Sequence, residues 1–292
     1  MNALVTGGGG FAGRHLVALL LARGHRVIAA GHDCPVEIDF REGTDVQDLL
    51  GDARPDVVFH LAGTATPAAM RRDPIAGHLN ITRPTVSLLD AMLANHAGTR
   101  LVLVGHCLAY GRPTRLPIPE DHALAPLDTF AAARAAMEHV ARNYLPHGVD
   151  IVIARPFHHA GPGQRDGWIP SWRRDGPPDE PTRALRRDVS DVRDIVEGYL
   201  CVAENGKTGE AYNLCSGSTV ALGELYDRVV ACSSAPLPSA VAAPDPASRP
   251  EVPVLWGDPS RAEALGWRRR FSLDQTIHDA CAAVPPPPAR YA

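Results

Sequence analysis

Short apolar runs alternate with longer amphipathic stretches through the first half of this chain. The opening Met1-Asn-Ala-Leu-Val5, then Arg26–Ala30, Glu37–Phe40, Asp56–Gly63, Arg100–Gly105 and Asp150–Arg155, read as six strands. The fourth is apolar enough for a central parallel strand. Between them Phe11–Arg23, Pro74–Ala94 and Thr129–Tyr144 carry helical spacing. Strands joined by crossovers of this length predict an α/β protein with a doubly wound parallel sheet. Beyond Phe157 the regularity breaks: Pro and Gly punctuate residues 156–182, a helical pattern returns at Val192–Ala203, and Ser233–Arg249 is a Pro/Ala/Ser loop. The expected organisation is a core over 1–156, a lobe over 157–284 that closes on the sheet's carboxyl edge and mainly binds substrate, and a mobile tail over 285–292 beginning at Pro285–Pro288.

The turn after the first strand organises the rest. Gly7, Gly10 and Gly13 fall three apart between a strand and a helix, the context in which glycines tighten the turn, admit a pyrophosphate and bring the helix close to its strand. That makes the core Rossmann-type, with Gly7, Gly10, Phe11, Ala12 and Gly13 around the phosphates. The alternative is a glycine-rich β–α turn that binds nothing. At the end of the second strand, where a carboxylate would hold an adenosine ribose, stand Gly31, His32 and Asp33. With Arg14 beside the turn, this points to NADP(H) over NAD(H), since a 2′-phosphate prefers a cation nearby; Asp33 keeps NAD(H) open.

Composition narrows the partners. The 292 residues are 45% hydrophobic and carry a net charge of −4 with no basic run, which argues against nucleic acid. No apolar run reaches the ~18 residues of a membrane span, and a cytoplasmic protein is expected. The six cysteines form no C-x-x-C pair, so reduced thiols are expected, with neither disulfide nor metal site.

Seven motifs stand in order: Val5–Gly13, His60-Leu-Ala-Gly63, Asn80, Ala109-Tyr-Gly111, Arg155–Gln164, Arg187-Asp-Val-Ser-Asp-Val-Arg-Asp194 and Tyr212–Gly217. Together they resemble the extended short-chain dehydrogenase/reductase family over nearly the full length, in its nucleotide-sugar branch of 4-ketohexose reductases, 4,6-dehydratases and 4-epimerases. The resemblance implies a cofactor held also by Asp39-Phe40, Leu61-Ala62-Gly63 and Pro156, a nucleotide-sugar substrate near Asn80, and a homodimer.

The chemistry segment departs from that family. Where its members share Tyr-x-x-x-Lys, this chain has Phe130 and Arg134; phenylalanine has no proton to exchange, and arginine is not deprotonated though its fork can bind ribose hydroxyls. Four residues before Tyr110, His106 replaces the usual Ser or Thr. Cys107 and Leu108 replace the dehydratases' Asp-Glu pair, leaving no carboxylate for elimination. His106 has two readings, an imidazole titrating near the ordinary ~6.5 that supplies the missing proton, or a hydrogen-bonded filler beside a buried Cys107. On the substrate side the resemblance makes Arg187 and Arg249 a diphosphate clamp, each of which taken alone could be a surface salt bridge. His158 stands where asparagine is common, and Trp168 and Trp172 are expected to pack. Three functions stay open: an atypical oxidoreductase or epimerase, a cofactor-binding protein without turnover, and a non-redox enzyme on the same scaffold.

Overall fold

Apolar runs of four to seven residues become six parallel strands of one sheet. The computed structural model describes residues 1–63, 66–95, 98–233, 236–239, 241 and 252–282; Arg249, most of the Ser233–Arg249 stretch and the 285–292 tail lie outside them. In chain order come β1 (Asn2–Thr6), α1 (Phe11–Ala22), β2 (Arg26–Ala30), α2 (Gly43–Ala53), β3 (Val57–His60), α3 (Pro67–Arg72), α4 (Pro74–Asn95), β4 (Arg100–Val104), α5 (Thr129–Arg142) and β5 (Asp150–Pro156). The second half adds β6 (His158–Ala160), α6 (Trp168–Asp175), α7 (Glu180–Arg183), β7 (Arg186–Arg187), β8 (Val189–Asp191), α8 (Val192–Asn205) and β9 (Ala211–Leu214). It ends with β10 (Val220–Ala221), α9 (Leu222–Cys232), β11 (Val254–Leu255), α10 (Ser260–Ala264) and α11 (Leu273–Cys281).

The main sheet runs β2-β1-β3-β4-β5-β9, all parallel. Because a strand alternates its faces, Ala3 and Val5 of β1 meet Leu16, Leu20 and Ile195 of α1 and α8, while Leu4 meets Val46, Leu50 and Leu88 of α2 and α4. Both faces are covered, the condition a parallel sheet requires.

Two expectations are corrected here. Glu37–Phe40 is not a strand: beyond β2 only an isolated bridge, Ala30 to Val36, continues the sheet. Gly31 (φ 120°) and Asp33 (φ 56°) turn the chain off the edge, and Phe40 drops into the core. The sixth strand is instead β9, drawn from the Tyr212-Asn-Leu segment, with Tyr212 opposite Ala154 of β5. Residues 192–214, expected in the lobe, therefore complete the sheet and its helical layer. Crossing at 156 is a turn of the chain toward the lobe, which later returns.

The Arg187–Asp194 segment ties the lobe together. Asp188 accepts from the amides of Ser216 (2.6 Å) and Gly217 (3.0 Å). Asp191 caps α8 and takes the Arg193 fork, and Asp194 accepts from the amides of Arg270 (2.9 Å) and Phe271 (3.2 Å). Three carboxylates spaced three apart thus fasten the turn after β9, the start of α8 and the chain leading to α11.

Candidate active site

The glycine turn is shaped by contacts that exclude any side chain. Gly7 (φ 70°) lies against the exit of β3, where a Cβ would come within 2.9 Å of the Ala62 amide, and a Cβ on Gly13 would come within 2.2 Å of the Gly7 carbonyl oxygen. Gly10 caps α1 with no side-chain bond, so the amides of the first turn, at Phe11, Ala12 and Gly13, face the turn. Leu61, Ala62 and Gly63 lie alongside, and the Phe40 ring approaches the Cβ side of Gly31. This cradle, from which Cβ atoms are missing, fits a dinucleotide diphosphate.

Farther along the edge, Arg14 Nη1 donates to the Gly9 carbonyl (2.9 Å), and a Cβ on Gly9 would come within 2.5 Å of the His32 carbonyl oxygen. Arg14 and the His32 backbone therefore both meet the chain at Gly9. The exposed His32 ring lies 3.7 Å from Asp33 and 4.0 Å from Glu37. Asp39 is engaged by Arg41 Nε at 2.9 Å, and that hydrogen bond holds its carboxyl below the usual carboxylate range. Arg41 also reaches Asn80 Oδ1 at 3.5 Å. Pro156 is buried at the end of β5, opposite Leu214.

The proton-transfer corner lies between β4 and α5. Asp128 caps α5 by accepting from the Ala131 amide (2.7 Å), which sets Phe130 in the first turn and Arg134 one turn later. Phe130 is 1% exposed. Arg134 is buried, donates to the Val104 carbonyl (3.3 Å) and places its guanidinium 5.4 Å from the Phe130 ring centre. Burial lowers Arg134 to about 10, so it stays charged at neutral pH.

His106 caps the 3₁₀ turn Cys107–Tyr110, its Nδ1 accepting from the Leu108 amide at 3.1 Å. A neutral ring with Nδ1 so engaged carries its proton on Nε2. The ring is edge-on to Phe130 with centres 5.2 Å apart. Burial first, and the Arg134 charge second, push its pKa down to about 3. Of the two readings of His106, the capping bond and the burial that lowers its pKa agree with a neutral, hydrogen-bonded ring whose remaining donor is Nε2–H. Cys107 is fully buried among Tyr110, Ile118, Phe157 and Cys215, and burial drives its thiol pKa far up, which removes it as an acid–base group or nucleophile.

On the lobe side, His158 stacks on Trp168 (ring centres 4.7 Å) and stands edge-on to His106 (6.0 Å). Its Nδ1 is buried and unpartnered among the described residues, and burial, then the nearby Arg187 charge, keeps it neutral. Arg187, buried on β7, donates to the Arg186 carbonyl at 2.9 Å. Trp172 packs in the lobe core, whereas Trp168 also forms the wall behind His158. The structure thus brings His106, Phe130, Arg134, His158 and Arg187 to one edge.

Two features escaped the sequence reading. His159 stacks on Phe11 (6.0 Å) and His15 meets the same ring edge-on (5.5 Å), so two imidazoles flank the phosphate turn; the signal was the His158-His159 pair and a histidine one turn after Phe11. Second, Tyr110 is no reactant. Its hydroxyl donates to Asn213 Oδ1 (2.7 Å) and accepts from Arg155 Nη1 (2.8 Å), and Arg155 pairs with buried Glu138 at 2.8 Å. Three motifs are locked by one buried network, whose members are costly to remove singly.

Residues 3–215 match the NAD dependent epimerase/dehydratase family, and the chain belongs to it. It is 29% identical to a GDP-6-deoxy-D-mannose reductase of Pseudomonas aeruginosa, over 94% of this chain and 93% of that protein. It is 26% identical to a UDP-glucose 4-epimerase of Rhizobium meliloti, over 93% of each. Among solved structures, RMD from Pseudomonas aeruginosa complexed with NADPH superposes with a TM-score of 0.81 at 26% identity over 97% of each chain. A Thermotoga maritima UDP-glucose 4-epimerase, solved with UDP-glucose, gives 0.84 at 21% identity over 97% of this chain and 98% of that one, which speaks to the fold.

Proposed function

We propose that this protein is a cytoplasmic, homodimeric, NADP(H)-preferring reductase of a keto sugar carried on a nucleoside diphosphate, with a neutral imidazole in place of the family's tyrosine. The observation that carries the reading is the hydrogen bond from the Leu108 amide to His106 Nδ1, which leaves Nε2–H as the donor of that ring. The glycine cradle, with Leu61–Gly63, Asp39-Phe40 and Pro156, holds the cofactor, which when bound supplies a hydride. Arg14 and His32, with no carboxylate at Gly31, favour the 2′-phosphate, and the NADPH complex of the Pseudomonas aeruginosa relative supports this choice. Arg134 offers its fork to ribose hydroxyls, and Arg187, with Arg249, binds the diphosphate.

His106 Nε2–H holds the carbonyl oxygen and stabilises the negative charge that grows on it during reduction. Water then protonates the alkoxide, forming the alcohol and hydroxide. In the reverse direction hydroxide takes the proton of the alcohol, so an epimerase, which begins with that oxidation, would be slowed by the same missing side chain as a reductase. The 29% identity to a GDP-6-deoxy-D-mannose reductase favours reduction. A second reading is favoured by the fully buried Phe130: a cofactor-binding protein without redox turnover.

NADPH oxidation across GDP-, UDP- and dTDP-linked 4-keto sugars tests both. Lacking a positioned acid, turnover is expected to be slower by ~10²–10⁴-fold than with one. Between pH 6 and 9 it should show no inflection from an imidazole, and His106→Ala should lower it further by about tenfold or more. An unchanged rate in His106→Ala removes the imidazole's role. Tight NADPH binding with no oxidation on any sugar leaves the second reading.

A further inference from the structure

Between β8, the turn 216–220 and the chain entering α11 lies a cavity of about 160 Å3. None of the described residues assigned above to cofactor or substrate lines it. Its acceptors are already engaged: Asp191 takes Arg193 Nε and Nη2 at 2.8 and 2.7 Å and the Thr276 hydroxyl at 2.9 Å, and Asp194 takes two backbone amides. Its donors are not. The hydroxyl of Ser190, a residue only 4% exposed, is buried with no partner among the described residues. Ser272 Oγ accepts from the Gln275 amide (3.2 Å) and Thr219 Oγ1 from Arg186 Nε (3.0 Å), which leaves each hydroxyl proton uncommitted. Exposed Arg269 adds a guanidinium to the wall, and Ser272 opens the nine-residue α11, whose positive end faces the same space.

A polar cavity whose carboxylates are paired, and three of whose hydroxyls keep an unspent proton, calls for a ligand rich in acceptors. We infer that it binds a small tetrahedral oxyanion, with free inorganic phosphate as the occupant. At ~30 Å3 per water the space holds a few waters or one such anion. The anion bridges β8, the turn after β9 and α11, so its binding stabilises the lobe.

Thermal unfolding of the full chain in phosphate, against chloride at equal ionic strength, tests this. A Tm rise of about 2–4 °C is expected at roughly ten times the dissociation constant. The rise should be lost in Ser190→Ala and in Arg269→Glu, the latter on an exposed side chain whose exchange leaves folding intact, and kept in Arg187→Ala. A rise that survives both of the first two variants, or that disappears in Arg187→Ala, places the anion elsewhere and overturns the inference. No rise at all leaves water as the occupant and overturns it equally. A larger Ser190-dependent rise with uridine monophosphate would assign the site to a nucleotide's phosphoryl group and overturn the free anion. None of these readouts depends on turnover, so the reductase reading can fail without this one.

Discussion

The glycine turn and the corner between β4 and α5 lie on one sheet edge and are built from opposite materials. The turn recognises with backbone: at Gly7 and Gly13 a Cβ would strike Ala62 or the Gly7 carbonyl, so the shape holds only while these residues lack side chains. The corner must work through side chains, and there Phe130, Arg134 and His106 are held by burial in a single charge state each, none of which exchanges a proton near neutrality. Binding by backbone survives large changes in neighbouring side chains. Proton transfer does not, since it depends on one pKa at one atom.

The largest expected effect comes from giving the corner its missing proton. Phe130→Tyr with Arg134→Lys should raise 4-keto-sugar reduction by ~10²–10⁴-fold, the usual worth of a positioned acid. The measurement is single-turnover NADPH oxidation. A rise from a measurable starting rate agrees with a slow reductase; a rise from none agrees with a cofactor-binding protein; an unchanged rate means that this corner is not where the proton moves.

The same contrast explains what could be read in advance. Gly7, Gly10 and Gly13 were legible because spacing alone encodes a backbone shape, and the order of motifs carried the sheet. Glu37–Phe40 misled because alternation encodes a half-buried stretch without saying whether a strand waits beside it; here the chain leaves the edge at Gly31. β9 was legible as a motif but not as a strand, since four residues carry little periodicity. The ionisation of His106 was illegible in principle. It is set by burial and by Arg134, 28 positions away in the chain and one helix away in space.

A smaller effect sharpens the cofactor half. NADPH should bind about tenfold more tightly than NADH, on the order of one charged contact to the 2′-phosphate, and His32→Asp should erase the difference by restoring a carboxylate there. Isothermal calorimetry measures both. Equal affinities in the unaltered protein would defeat the preference and leave the fold untouched.

The smallest effect is a pH dependence of stability that sets the two regions side by side, with one histidine in each. His60 is buried behind the glycine turn, its Nδ1 accepting from the Thr6 hydroxyl (2.8 Å) and its Nε2–H donating to Thr85 Oγ1 (3.1 Å), a direction fixed because Thr85 donates to the Ile81 carbonyl. Burial holds His60, like His106, at about 3. An unfolded imidazole takes up its proton near ~6.5, so between that pH and about 3 the unfolded chain binds more protons. Stability from these residues is therefore complete above pH ~6.5 and is lost as pH falls, by up to ~1.4 kcal/mol per pH unit for each. His15, His158 and His159 are lowered as well and act with the same sign. Asp188 opposes them: burial raises it to about 6, so from there down to the ordinary ~3.9 the folded state holds the extra proton and offsets one histidine. Urea unfolding at pH 7.5, 6.5 and 5.5 should show a small loss in the first interval and a loss roughly three times larger in the second. His60→Gln and His106→Gln should each flatten that loss by about one proton. If His60→Gln flattens it and His106→Gln does not, His106 is protonated in the folded protein after all, and the corner regains an acid that its burial argues against.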